Sequence, residues 1–234
     1  MASRKEQKER ARAERIAGEE ALAAARSRRR RLNLVGGGLI ALVVVAVVVV
    51  GLASGGSNQA PRLPGRAGPP IPAQTLTALT TAAAAAGCVV HNYPNFGSGH
   101  TSATVRYQTN PPTSGSHSPL PAPDRDYVGK AVFPASMLVH SLEHGRVEIQ
   151  YRAGTPQKQQ RQLETLLTQP IPGHPAGFDQ LLFKNPTGMP YAVAATAWQH
   201  LLGCPTFNDR VFDALRAFRA FYVNRGPESV PYPE

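Results

Sequence analysis

The regular alternation of apolar and polar residues is clearest at positions 146–151. From Val147 to Tyr151 every odd-numbered residue is apolar and every even-numbered residue is polar. A period of two predicts a β-strand with one face in the core and the other exposed. The less regular segments 103–107 and 191–198 predict two further strands, and we expect the second to be covered on both faces.

Three segments show the helical period. Apolar side chains recur three or four positions apart in residues 208–224, which predicts an amphipathic helix. Residues 156–169 carry a leucine stripe, with Thr155 as the predicted N-cap and a proline in the first turn. Residues 75–86 contain five consecutive alanines and end before Gly87, a helix stop. Together these elements predict an α+β fold, with a small mixed or antiparallel sheet and packed helices.

The first third of the chain has a different pattern. Residues 34–53 are uncharged and apolar, long enough as a helix to cross the ~30 Å hydrocarbon core, so we place a transmembrane helix at 32–53. Residues 1–31 carry eleven Lys or Arg against five Glu. The positive-inside rule then predicts a single-pass protein of the cell membrane, with its N-terminus in the cytoplasm and its C-terminal domain outside. A cleaved signal peptide is the competing interpretation, but both its charged and apolar regions are usually shorter.

These patterns divide the chain into four parts. They are a basic cytoplasmic segment (1–31), a transmembrane helix (32–53), a Gly/Pro/Ser-rich spacer (54–74) and an extracytoplasmic α+β domain (75–234). Residues 1–31 contribute +6 of the net charge of +10, as eleven basic side chains less five acidic ones. A basic excess beside an apolar run indicates contact with anionic lipid at the cytoplasmic face rather than with nucleic acid. The membrane is therefore the expected partner, and the sequence indicates no particular protein partner.

Both cysteines, Cys88 and Cys204, fall in the predicted outer domain. A lone pair in an oxidising compartment indicates one disulfide, and closing so long a loop stabilises a fold by about 4–5 kcal/mol in the loop-entropy model. Two separate buried thiols, or two soft metal ligands, are the alternatives that the sequence leaves open.

Candidate chemistry is concentrated just before the most regular strand. His140 and His144 are four positions apart, and Glu143 lies between them. On a helical turn the two imidazoles point to one side, whereas on a hairpin they lie on opposite legs. His117 in a Pro-rich loop and His100 in a Gly-rich turn are the other candidates. That loop is either ordered and packed against the strand, or flexible.

Imidazole nitrogens suit zinc and copper, and three of them with a carboxylate or water complete a four-coordinate shell. The residues predicted to bind a zinc or copper ion are His100, His117, His140, Glu143 and His144. Glu143 acts either as a ligand or as a group that orients one of the histidines. Met137 offers a nearby thioether that would favour copper, although a lone methionine is more often core filler.

Two other functions stay open. If the histidines only bond to loop backbone, the domain is a non-catalytic cell-envelope interaction module with structural histidines. The segment from His140 to His144 also matches the H-x-x-E-H pattern of inverzincin peptidases, in which the glutamate is the general base. A metal-dependent hydrolase is therefore the second alternative. Those enzymes keep the motif inside a long helix, whereas Gly145 and a strand follow it here.

Four motifs resemble those of a known family. They are Asn-Pro-Pro-Thr-Ser-Gly-Ser-His at 110–117, Val-His-Ser-Leu-Glu-His-Gly-Arg-Val at 139–147, Ala-Trp at 197–198 and Gly-Pro-Glu at 226–228. Over roughly residues 99–228 the chain resembles a set of uncharacterised, membrane-anchored bacterial proteins, many from actinobacteria, grouped under a domain of unknown function. The resemblance implies an architecture and recurring residues without a substrate. That family usually has glycine after the tryptophan, so Gln199 is not expected in a site.

Overall fold

The computed structural model describes residues 68–174 and 179–228. All of them belong to the second of two compact units, Ala60–Glu234. Among these described residues, no helix is both long and apolar enough to cross a membrane. The transmembrane helix predicted at 32–53 lies outside them, as does the cytoplasmic segment, so the anchor and its orientation stay predictions.

The described residues form helices and one mixed sheet. The helices are α1 (Leu79–Ala86), α2 (Ala135–Glu143), α3 (Gln157–Thr168) and α4 (Val211–Tyr222). The strands are β1 (Val89–Asn92), β2 (Arg125–Asp126), β3 (Val147–Tyr151), β4 (Gln180–Lys184), β5 (Val193–Ala197) and β6 (His200–Cys204). In the order β1-β6-β5-β3-β4-β2, β4 is parallel to β3 and to β2, and the other pairs are antiparallel. The predicted α+β class is confirmed.

The main apolar core lies on one face of this sheet. Val147, Ile149 and Tyr151 of β3 belong to it, together with buried side chains of α1, α3 and α4. Phe212 and Phe218 of α4 are completely buried. This burial explains why the helical period was readable in the sequence, since each of these helices keeps an apolar stripe toward the sheet.

Cys88 and Cys204 form a disulfide, with an S–S distance of 2.06 Å. Cys88 directly precedes β1 and Cys204 ends β6, and the two strands are antiparallel neighbours, with Val89 opposite Gly203. The predicted disulfide is confirmed. The alternatives of separate thiols or thiolate ligands are wrong, because both sulfurs are in the bond.

The other face of β3 is buried as well, so the prediction of a half-exposed strand is wrong. Glu148 and Gln150 are each 2 % exposed, because α2 and the Pro-rich loop, through Val139 and Pro112, lie over them. Gln150 Nε2 donates to Glu148 Oε2 at 3.1 Å and to Thr196 Oγ1 at 3.0 Å. Burial raises the pKa of Glu148 to about 8. Alternation showed two faces, but it could not show that a second layer covers the polar one.

Two local predictions are also wrong. Residues 103–107 are not a strand, because none of the described backbone–backbone hydrogen bonds gives this segment a neighbouring strand. Thr155 does not cap α3: its hydroxyl donates to the Arg152 carbonyl at 2.7 Å, and Pro156 occupies the N-cap position. The other predicted helices and the fully buried strand β5 are confirmed.

Candidate metal centre

Helix α2 carries the central part of the candidate site. His140 and Glu143 lie on its last turn and are buried, and His144 is its C-cap residue. Gly145 follows with φ +82°, a left-handed conformation that ends the helix and leads into β3. The helical arrangement, not the hairpin, therefore brings the two imidazoles to one side, with their ring centroids 4.4 Å apart.

Two loops bring His100 and His117 together. The backbone around His100 runs beside that around His117, so Thr101 N donates to His117 O at 2.7 Å and His117 N donates to Gly99 O at 3.0 Å. The ring centroids of the two histidines are 5.1 Å apart. The Pro-rich loop is thus ordered. It packs against Trp198, and the ring centroids of His117 and Trp198 are 6.0 Å apart.

The chain after His117 holds α2 against this loop. Ala122 N donates to the Met137 carbonyl at 3.1 Å, and Ser141 Oγ donates to the Ala122 carbonyl at 2.8 Å. Met137 packs against the apolar cluster that contains Phe183. This packing favours the interpretation of Met137 as core filler.

Backbone carbonyls orient the two buried histidines. His117 Nδ1 lies 2.8 Å from Gly115 O, and His140 Nδ1 lies 2.6 Å from Ser118 O. A carbonyl oxygen only accepts, so Nδ1 donates a proton in each ring and Nε2 keeps its lone pair in the neutral imidazole. Histidines that bind metals commonly donate their second ring nitrogen in this way.

The Nε2 atoms of the two rings face other potential ligand atoms. His117 Nε2 is 2.8 Å from Glu143 Oε2, and both atoms are buried without a hydrogen-bond partner. The distance would suit a hydrogen bond, but a neutral His117 has no proton there to give. His140 Nε2 is 2.9 Å from His144 Nε2, and the two form a hydrogen bond when His144 carries its proton on Nε2. His100 Nε2 is 3.9 Å from Glu143 Oε2.

These donor atoms are close enough to share one ion. One ligand atom from each of His100, His117, His140 and Glu143 lies within 4.8 Å of all the others. Donors bound at ~2.0–2.2 Å to one ion are at most about 4.4 Å apart, so small side-chain shifts would bring the four onto a metal. His144 stands beside this group of four. The His100 side chain is 47 % exposed, so the group opens to solvent on that side.

Burial also favours the neutral form of the histidines on α2. Desolvation lowers the pKa of His140, although the Ser118 carbonyl and Glu143 partly oppose it. Desolvation lowers the pKa of His144 too, and the nearby His140 and Arg146 lower it further. Neutral imidazole is the form that binds a metal ion.

Glu228 lies next to the site, although it is not among the predicted ligands. Its Oε2 is 3.5 Å from His144 Nε2, and its backbone N–H donates to Glu143 O at 3.1 Å. The Gly-Pro-Glu motif at 226–228 is one of those that carry the family resemblance, and that is the signal that points to it. Elsewhere, His200 bonds to Asn92 and lies outside the group.

A family model matches residues 100–231. Its description is "Protein of unknown function (DUF3105)". The chain belongs to this family. The match begins at His100 and spans every candidate donor. No curated protein and no solved structure matches the chain.

Proposed function

We propose that this member of the DUF3105 family is a membrane-anchored protein whose C-terminal domain binds one transition-metal ion, zinc or copper. The proposed ligands are His100, His117, His140 and Glu143, with His144 as a further donor beside them. The support is the buried contact between His117 and Glu143, in which the lone pair of a neutral imidazole faces a carboxylate oxygen with no proton between them.

The pair formed by His117 and Glu143 carries the proposal. Each residue has a buried potential ligand atom without a hydrogen-bond partner, and the two atoms, His117 Nε2 and Glu143 Oε2, are 2.8 Å apart. Leaving such an atom unsatisfied costs about 1–3 kcal/mol, and more for a charged group. A metal ion bound to both atoms removes this cost, since it accepts a lone pair from each.

The donor types favour zinc or copper. Three imidazole nitrogens and one carboxylate oxygen match a tetrahedral zinc site and also suit Cu²⁺. The softer ligand types of the described residues have other roles: Cys88 and Cys204 are joined in the disulfide, and Met137 and Met189 pack in apolar clusters.

The same contact supports a second candidate function. If His117 is protonated at Nε2, it forms a buried ion pair with Glu143 at 2.8 Å and needs no metal. The domain would then be a cell-envelope interaction module with structural histidines. The hydrolase alternative has less support, because the Glu143 oxygen that would act as the base lies within the donor group.

The metal content of the purified full-length chain separates these candidates. We expect about one zinc or copper ion per chain. His117→Ala should lower the affinity at least ~100-fold, because loss of a ligand should cost at least as much as the roughly 10–100-fold typical of groups that only orient a ligand. His200→Ala is the matched control, since His200 also uses Nδ1 in a hydrogen bond but lies outside the group. Full-length protein that binds neither ion would leave the ion-pair module as the function.

The membrane location is part of the proposal and rests on the apolar, basic-flanked N-terminal sequence. We infer that the N-terminus is cytoplasmic, beside anionic lipid, and that the domain lies outside. A reporter fused after Glu234 should be active only in an extracytoplasmic compartment. Activity confined to the cytoplasm would overturn this orientation.

A further inference from the structure

The last described residues of the chain pack against the end of α2. Asn224 N donates to Gly145 O at 2.7 Å, and Glu228 N donates to Glu143 O at 3.1 Å. These two hydrogen bonds lie on either side of His144. Residues 224–228, called the tail segment below, are therefore attached to the backbone that carries the candidate donors.

Two glycines permit this close approach. A Cβ atom added at Gly226 would overlap the Glu143 carbonyl oxygen and the Gly145 nitrogen. A Cβ atom added at Gly145 would lie 2.8 Å from Asn224 Cα. Backbone lies directly on backbone, so neither segment can give way by moving a side chain. The tail segment is thus held in one place relative to the donors.

This placement holds the Glu228 carboxylate next to the donor group. Its Oε2 is 3.5 Å from His144 Nε2, which is itself 2.9 Å from His140 Nε2. The Glu228 side chain is 55 % exposed, unlike Glu143, which is 3 % exposed. Glu228 therefore acts on a bound ion through its charge, from the solvent side of His144.

We propose that Glu228 is a specificity-determining residue that favours divalent over monovalent metal ions. This inference rests on the metal site proposed above. With neutral histidines, Glu143 and Glu228 together carry two negative charges, which balance Zn²⁺ or Cu²⁺ but exceed the charge of Cu⁺. Because the Coulomb attraction of a carboxylate doubles when the charge of the ion doubles, Glu228 stabilises a divalent ion more.

The test compares the affinities of the full-length chain for Zn²⁺ and for Cu⁺, measured by chelator competition, with Cu⁺ kept reduced under anaerobic conditions. We expect Glu228→Gln to weaken Zn²⁺ binding about tenfold and Cu⁺ binding no more than about threefold at low ionic strength. The Zn²⁺ effect should shrink in ~1 M salt, because the carboxylate is exposed. Glu164→Gln is the matched control: Glu164 pairs with Arg161 on α3, away from the site.

A second variant tests the tail segment itself. Gly226→Ala forces the tail segment away from Glu143, so it should reduce the preference for Zn²⁺ over Cu⁺ by about the same factor as Glu228→Gln. Gly68→Ala is its control, because a Cβ atom there overlaps the backbone oxygen of Arg161, far from the donors. If Gly226→Ala does not fold, Glu228→Gln still decides the question, because it alters only an exposed side chain.

The outcomes separate the two proposals. Equal loss of Zn²⁺ and Cu⁺ affinity in Glu228→Gln, or no loss of either, would overturn the role of Glu228 while leaving the metal site intact. A wild-type chain that binds neither ion would refute the metal site itself, and this inference with it.

Discussion

The two faces of the sheet differ in the polar groups that they bury. One face packs against α1, α3 and α4 through a continuous set of aliphatic and aromatic side chains. The other, called the polar face below, is covered by the nine-residue helix α2 and the Pro-rich loop. It buries Glu148, Gln150 and Thr196 beside apolar side chains such as Phe183 and Leu201. The first face removes apolar surface from water, whereas the second places polar groups where each needs a partner.

The apolar face contributes mainly to stability, whereas the candidate metal ligands lie on the side of the polar face. On the polar face Gln150 and Thr196 are hydrogen-bonded to each other and to Glu148 Oε2. His117 Nε2, Glu143 Oε2 and Glu148 Oε1 have no hydrogen-bond partner. Buried polar groups without partners reduce stability, so they persist where they serve a function. The apolar face therefore stabilises the fold that keeps the donors on the polar face in position.

Truncation on the apolar face should have the largest effect on folding. Phe212 is completely buried, so Phe212→Ala should lower the free energy of unfolding by about 3–5 kcal/mol through lost burial and a cavity. Urea denaturation measures this change. Metal affinity of the remaining folded protein should stay as in the wild type, and a parallel loss of affinity would mean that the two faces are not separable.

The polar face should respond to pH through Glu148. Its pKa in the folded chain is about 8, against an ordinary value of 4.5, so the folded state holds this proton more tightly than the unfolded state. Its contribution to stability is present below about pH 4.5 and is lost as the pH rises to about 8. Between pH 5 and 8 the loss should be on the order of 3 kcal/mol.

Glu148→Gln should flatten this dependence, and unfolding measured at several pH values checks it. Asp179, whose pKa burial raises to about 6, adds a loss of the same sign that the variant retains. Identical pH profiles for wild type and Glu148→Gln would mean that the carboxyl group is not held in its neutral form.

Metal should stabilise the chain through the polar face alone. At a metal concentration ~100 times Kd, the free energy of unfolding should rise by about 2.7 kcal/mol, because the ion binds the folded state. Phe212→Ala should gain as much as the wild type, and His117→Ala should gain little. Thermal or urea unfolding with and without Zn²⁺ measures this, and an equal gain in His117→Ala would place the ion elsewhere.

The smallest effect is expected on the outer surface of the loop. Leu120 is 59 % exposed, so Leu120→Ala should change the free energy of unfolding by no more than ~0.5 kcal/mol. It should also leave metal affinity unchanged. A larger change, detected by urea denaturation, would show that the loop depends on contacts beyond the buried ones around His117.

The candidate metal ligands could be predicted from the sequence because they lie in recognisable motifs. His140, Glu143 and His144 share one short motif, and His117 ends a distinctive Pro-rich segment. Their orientation could not be predicted, because it depends on the carbonyls of Gly115 and Ser118, and a carbonyl is present at every residue. Glu228 belongs to a recognisable motif, but its contact with His144 could not be predicted, because more than eighty residues separate the two along the chain.

The α+β class, the amphipathic helices and the residue types of the site could be predicted from the sequence, because periodicity and side-chain chemistry are local properties. The wrong prediction for β3 marks the limit of this local information, since burial of Glu148 depends on α2 lying above it. The tertiary structure was needed to show that the polar face of β3 is covered, that His100 lies beside His117, and that the tail segment reaches His144. These are contacts between segments distant in the chain, and only packing and backbone hydrogen bonding select them.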